Sequence, residues 1–241
     1  MPLNFQLPGF SKKAKKVLSK YLYAFFSQHC EDVMLSMLIT RDLLPKKGFY
    51  VDLGAFHPLE YSNTAMLNLF GWHGVNVDAN PDVIEKFKIY RPKDSNVCVG
   101  ISDQNEALNY HRFHQNGINT FCEKHAAKML SKGARLELVV EVECRSVNEI
   151  LELYVPNEQH IDVLNIDLEG LDEQIIRALD WKKYAPTVVL TEAFTDDIDL
   201  YVTTNTHQYL RNLGYTFISK MGLTAIYLRS DTIAKATAAP Q

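Results

Sequence analysis

Short apolar runs recur along the chain, each closed by a carboxylate or a glycine and each followed by a stretch with helical spacing. Phe49–Leu53 stops at Gly54, residues 75–77 at Asp78-Ala79-Asn80-Pro81, and residues 96–101 at Ser102-Asp103. Residues 161–166 stop at Asp167, and residues 186–190 run on to Glu192. Continuous apolar runs of this length predict interior parallel strands buried on both faces. Helical patterns fill the gaps at residues 11–26, 30–42, 61–70, 83–90, 146–153, 172–179 and 203–213. Their boundaries carry stop and start residues: Pro45 follows the second, Gly71 suits a left-handed C-terminal cap, Pro92 halts the fourth, and Ser146 is an N-cap.

Two further strand patterns, residues 107–113 and 136–142, flank a less regular stretch, Gln115 to Gly133, read as an insertion covering an acceptor site. Residues 215–219 and 224–228, joined through Met221-Gly222, predict a closing hairpin, and the Ala-rich tail after Asp231 is expected to fray. Strands alternating with helices predict an α/β, Rossmann-like fold in one main domain, residues 45–230. Residues 1–44 form an N-terminal helical cap in this reading, and 231–241 the frayed tail.

The candidate chemistry lies at the strand ends. In an open α/β sheet, ligands sit outside the carboxyl ends of the strands where connections diverge, so Asp52, Gly54 and Asp78 should face one crevice. Taken singly, Gly54 reads as a tight turn and Asp78 as a cap for the helix opened by Pro81. Together on consecutive strand ends, they favour a ligand. An acid at the end of the second strand suits a ribose diol, and Gly54 lets a ligand approach the backbone. The chain carries G-A-F-H-P where a dinucleotide site would carry G-x-G-x-x-G. One glycine with a nearby acid fits a nucleoside without phosphates, such as S-adenosylmethionine, with Asp52 on its amine side. Asp103, beside Ser102, would read an adenine amine. Asp167 and Glu169 are the candidate bases, with His57 third. Asp167 with Glu192 would suit Mg²⁺, an oxygen-ligand ion, but two carboxylates do not define a metal site and no metal ligand is assigned.

At 241 residues with 46% hydrophobic content, the chain can bury a large core. A net charge of −4 leaves no overall basic footprint for nucleic acid. Lys12, Lys13, Lys15, Lys16 and Lys20 lie beside Val17, Leu18, Tyr21 and Leu22, so the first helix is either a solvated packing face or a peripheral membrane contact. No run is long enough for a signal-peptide core or a membrane span. Cys30, Cys98, Cys122 and Cys144 are scattered, which reads as ordinary buried thiols of a cytoplasmic protein.

The chain resembles the FkbM family of S-adenosylmethionine-dependent methyltransferases. The resemblance rests on FSQHCEDVML at 26–35, YVDLGAFHPLEYSNT at 50–64, GWHGVNVDANP at 71–81, RPKD at 91–94, GISD at 100–103 and IDVLNIDLEGLDEQII at 161–176. It implies a class I methyltransferase fold, a seven-stranded sheet whose last pair includes an antiparallel strand, and O-methylation of sugar or polyketide hydroxyls. It places cofactor contacts on Asp52, Gly54, Asp78, Ala79, Ser102 and Asp103, with Gln28, Glu31 and Asp32 approaching from the cap. Three positions depart from the family's usual residues: Cys30 for glycine, Asn165 for lysine, and Asp78-Ala79 for Glu-Pro. Two rival readings remain: a nicotinamide-dependent oxidoreductase, disfavoured by the missing glycines and the closing hairpin, and a non-catalytic module docked through the basic first helix.

Overall fold

The computed structural model describes residues 25–238. Most of the predicted first helix, residues 11–24 with its lysines, lies outside the described residues. Among those described, no helix is long and apolar enough to cross a membrane.

The apolar runs form the centre of a seven-stranded sheet in the order β3-β2-β1-β7-β8-β10-β9. Its members are β1 (Phe49–Leu53), β2 (His73–Asp78), β3 (Ser95–Cys98), β7 (Val163–Ile166), β8 (Val188–Glu192), β9 (Tyr215–Met221) and β10 (Thr224–Arg229). Neighbours are parallel from β3 to β8, and β10 runs against both β8 and β9. The chain winds outward from β1 to β3 and then returns to lay β7 against the other side of β1. The order therefore reverses between β1 and β7, and a crevice opens above their carboxyl ends.

Both faces of the sheet are covered, which explains why its strands read as unbroken apolar runs. On one face Val51, Leu53, Val75, Leu164 and Ile166 pack with Ile150 and Leu151 of α5 (Val147–Tyr154), Ile175 and Ile176 of α6 (Asp172–Ala178) and Leu210 of α8 (Asn205–Asn212). On the other, Tyr50, Val163, Val188 and Leu190 pack with Leu35 and Leu38 of α1 (Glu31–Thr40), and with Leu67 of α2 (Ala65–Leu69) and Trp72. A one-residue slip of β1 would exchange Asp52 for a core leucine, so the register that fills the core also aims the acid.

Several boundaries differ from the periodicity. The third run divides: Val99 N donates to Asp78 O, after which β4 (Gly100–Ser102) leaves the main sheet and pairs parallel with β6 (Leu136–Ser146). With β5 (Glu106–Phe113), these strands form a second, three-stranded sheet, β4-β6-β5. The stretch read as irregular contains a 3₁₀ turn, Asn116–Ile118, and α4 (Glu123–Ser131). The helix expected over 61–70 contracts to α2 because Tyr61 has φ +53°, outside the helical region. Thr204 caps α8 through its hydroxyl, which separates α8 from the short α7 (Ile198–Tyr201). Part of the Ala-rich tail forms α9 (Ser230–Ala238), which follows β10 directly. All four cysteines are free, but only Cys144 is buried as expected; Cys30 and Cys122 are half-buried and Cys98 is exposed.

Candidate active site

Above β1 and β7 lies a cavity of about 880 Å³, large enough for a nucleoside cofactor together with part of an acceptor. Gly54 forms its floor. Its φ is +82°, and a Cβ there would come within 1.8 Å of the Asp167 carbonyl oxygen, so the loops after β1 and β7 touch only because this side chain is missing.

Asp78 stands at the end of β2 and lines the cavity. It does not cap α3 (Pro81–Tyr90); Asn80 does, accepting from Asp82 N, with Pro81 in the first turn. The Asp78 carboxylate accepts from Asn80 N at 2.7 Å and Phe56 N at 3.2 Å, and each oxygen keeps acceptor capacity for a ligand. Burial raises its pKa to about 6 against the lowering effect of those two amides.

Asp52 also lines the cavity, but its oxygens are engaged: Oδ2 accepts from Thr64 Oγ1 at 2.5 Å and Oδ1 from Asn165 Nδ2 at 2.9 Å. Asn165 in turn accepts from Asn63 Nδ2 at 2.9 Å. Beneath them Arg91, only 3% exposed, donates from Nη1 to Thr64 Oγ1 and Asn76 Oδ1, and from Nη2 to Pro58 O and Ser62 Oγ. This network fixes the loop 58–64 against the strand ends, so that Tyr61, Ser62 and Asn63 face the cavity. Asn165 is thus a neutral bridge between Asp52 and Asn63.

The far end of the cavity is acidic. Asp167, at the end of β7, Glu169 in the following turn and Glu192, at the end of β8, each present a carboxylate oxygen, and these oxygens lie within 4.8 Å of one another. Asp172 ties the two strand ends together by accepting from Leu168 N and Glu192 N. Glu169 adopts φ +49°, a costly conformation for a side-chain-bearing residue, followed by Gly170 at +104°. Thr120 Oγ1 donates to Glu169 O at 2.8 Å and so fastens the covering segment to this turn. Burial, then repulsion from Glu169 and Asp172, drives the Asp167 pKa well above the usual carboxylate range. Burial, then Asp167, does the same to Glu192.

The covering segment forms the opposite wall. His125, Lys128, Met129 and Lys132 all line the cavity, and their spacing puts them on one face of α4 and its C-terminal turn. The helix is short and polar, so its spacing gives little signal in a stretch expected to be irregular. Arg91 opens the RPKD segment that contributes to the resemblance, but only the folded depth distinguishes a buried arginine from a helix-ending one.

Of the expected cofactor contacts, Gln28, Asp52, Gly54, Asp78 and Ala79 line the cavity. The rest sit elsewhere for identifiable reasons. Glu31 is buried behind the wall, accepting from Thr224 Oγ1 and His29 N. Asp32 is spent on Phe26 N and Ser27 Oγ, fastening the segment before α1. Ser102 leaves with β4 and donates to Glu106 and Asp103, and Asp103 is exposed outside the cavity; Val99 and Ile101 line it instead. Among the candidate bases, Asp167 and Glu169 line the cavity, whereas His57 lies outside it. Its Nδ1 accepts from Leu59 N and Glu60 N, which shapes the loop.

Solved structures match the chain at low similarity. A putative caffeoyl-CoA O-methyltransferase from Staphylococcus aureus is 10% identical, with 90% of this chain and 91% of that chain covered and a TM-score of 0.41. A TehB-like SAM-dependent methyltransferase from Corynebacterium glutamicum is 10% identical over 90% of this chain and 95% of that chain, with a TM-score of 0.38. No curated protein matches the chain. The seven-stranded sheet and its antiparallel strand β10 are those the resemblance implied for a class I methyltransferase fold. Residues 52–217, well over half the chain, match the methyltransferase FkbM domain, and the chain belongs to that family of S-adenosylmethionine-dependent methyltransferases.

Proposed function

We propose that this protein transfers a methyl group from S-adenosylmethionine to a hydroxyl of a sugar, glycan or related small molecule. The observation that carries this reading is one continuous cavity with a ribose-suited carboxylate, Asp78, at one end and a group of acids at the other. The donor set fits the cofactor. Asp78 would accept from the ribose hydroxyls, Val99 and Ile101 offer apolar surface for a base, and Gln28 and Asn63 offer polar groups to the amino-acid end. The bound cofactor supplies a methyl on a sulfonium, which a nucleophile displaces in line. The protein's task is to align acceptor and methyl and to exclude water. A sugar hydroxyl is a weak nucleophile until its proton is removed, and in this reading Asp167 takes it, with Glu169 beside it. A carboxylate whose pKa is raised by burial is a stronger base than one in water. The α4 wall, with Lys128, His125 and the aromatic Phe194, would seat the acceptor.

Incubation with methyl-labelled S-adenosylmethionine and a panel of sugars, nucleotide sugars and glycans tests this directly. Label appearing on an acceptor oxygen is the expected product. Tight cofactor binding with no transfer to any acceptor would instead favour the non-catalytic module.

Asp78→Ala is expected to weaken cofactor binding by about 1.5–3 kcal/mol, roughly 10- to 100-fold, the value of hydrogen bonds to a charged acceptor. Calorimetry on the folded variant checks this, and unchanged affinity would remove the ribose assignment. A pH effect accompanies it. With its pKa raised to about 6, Asp78 takes up a proton as pH falls through 6 and loses part of its acceptor capacity. Cofactor affinity is therefore expected to fall about tenfold from pH 7 to pH 5, tracking the ionised fraction. In Asp78→Ala this dependence should flatten; a dependence of equal size in the variant would assign the titration elsewhere.

A further inference from the structure

We propose that Asp167, Glu169 and Glu192 form a binding site for one divalent cation of the Mg²⁺ or Mn²⁺ class, at the acceptor end of the cavity. Its catalytic role, holding the acceptor hydroxyl, rests on the O-methylation reading; the binding itself does not.

The geometry comes first. Carboxylate oxygens from all three residues lie within 4.8 Å of one another, a spread that one cation with metal–oxygen distances of about 2.0–2.6 Å can bridge. They come from two neighbouring strand ends locked together by Asp172, and from a strained turn held by Thr120, so the set is rigid. An all-carboxylate set with no thiolate favours a hard cation.

The second observation is a pair of buried polar atoms that the protein leaves unmatched. His125 is 6% exposed, and its Nε2 has no hydrogen-bond partner among the described residues. That nitrogen lies 3.1 Å from Glu169 Oε2, at an angle that makes no hydrogen bond, so it points at the cluster without being satisfied by it. Glu192 Oε2 is likewise buried without a partner among the described residues. No lysine or arginine among the described residues forms an ion pair with any of the three acids; Lys128, on the facing wall, has its ammonium over the Phe194 ring at 5.2 Å. Gathering acids away from water is costly unless a positive charge joins them. A divalent cation would supply that charge, satisfy Glu192 Oε2 and give the His125 nitrogen a place as outer support or a fourth ligand.

A cation there would also bind the acceptor oxygen and lower its pKa, so that the proton leaves to Asp167, Glu169 or water while the new O–CH₃ bond forms and the S–CH₃ bond breaks. Methyl and proton thus balance with no further reactant.

Titration of the purified full-length protein with Mn²⁺, read as loss of the free-ion electron paramagnetic resonance signal, tests the site without and with S-adenosylmethionine. One bound Mn²⁺, displaced by Mg²⁺, is expected, with affinity weakened at least about tenfold in Glu192→Gln while calorimetric cofactor affinity stays within about threefold. Should Glu192→Gln fail to fold, Glu169→Gln, on the turn, reads the same loss. Absence of Mn²⁺ binding, binding undiminished in the folded variants, or loss of cofactor affinity in Glu192→Gln each overturns the proposal; the last would show that the cofactor's own positive charge offsets these acids. Mn²⁺ bound with no methyl transfer to any hydroxyl acceptor would refute the O-methylation reading and leave the metal site standing. Transfer that continues unchanged in a chelator, with no Mn²⁺ bound, does the reverse.

Discussion

Asp167→Ala is expected to lower the rate of methyl transfer by about 10²–10⁴-fold, the usual contribution of a positioned acid or base, while cofactor affinity stays within about threefold. The expectation follows from where the side chain sits. Asp167 leaves β7 at the switch between β1 and β7, facing the cavity, whereas only its backbone contributes to the floor: its carbonyl meets Gly54, and its amide donates to Leu53 O at 3.0 Å. Alanine keeps those backbone contacts and removes the carboxylate alone. Removing one of three mutually repelling acids should also leave folding intact or improve it, since burial and Glu169 oppose its ionisation. Single-turnover assays with labelled cofactor, paired with calorimetry, separate the two effects. A variant with wild-type turnover would eliminate Asp167 both as base and as cation ligand.

Arg91→Met is expected to destabilise the fold by about 3–5 kcal/mol, the cost of breaking a buried charged network by removing one partner. The guanidinium joins four acceptors from the loop 58–64 and β2, and its charge partly offsets the burial that raises the pKa of Asp52. Methionine fills similar space but leaves Pro58 O, Asn76 Oδ1 and Asp52 without that compensation. For a domain of this size, such a loss corresponds to a fall of about 6–20 °C in melting temperature. Arg91→Lys should recover little of it, because one ammonium cannot serve two separated sets of acceptors in a planar fork. Denaturant melts of both variants supply the test. A change below about 1 kcal/mol in Arg91→Met would show that water replaces the guanidinium and that the network is not a stabilising hub.

The parts of the site that could be read in advance were those tied to strand ends. Asp52, Gly54, Asp78 and Asp167 lie at the ends of apolar runs, and such runs have one stable placement, inside a covered sheet with their ends at a common edge. Residues on connecting segments were harder. His57 and Asp32 have the chemistry of site residues but are consumed locally by backbone amides two to six positions away. Asp103 lies outside the cavity because one continuous run divides between two sheets at Val99, and alternation along a strand carries no record of which sheet it joins. His125 and Lys128 were hidden in a stretch whose helical spacing is short and polar, and Arg91 in a segment that reads as a helix stop.

By itself, the order of apolar runs and stop residues determined the α/β class, the parallel strands and which carboxylates end them, because burial on two faces leaves little freedom in register or direction. Only the tertiary structure decided which acids meet. Bringing Glu192 to Asp167 depends on β8 lying beside β7, and bringing His125 to Glu169 depends on an insertion folding back over the cavity. Those contacts span separate elements, and their energy comes from packing and shared desolvation, which no local pattern of residues records.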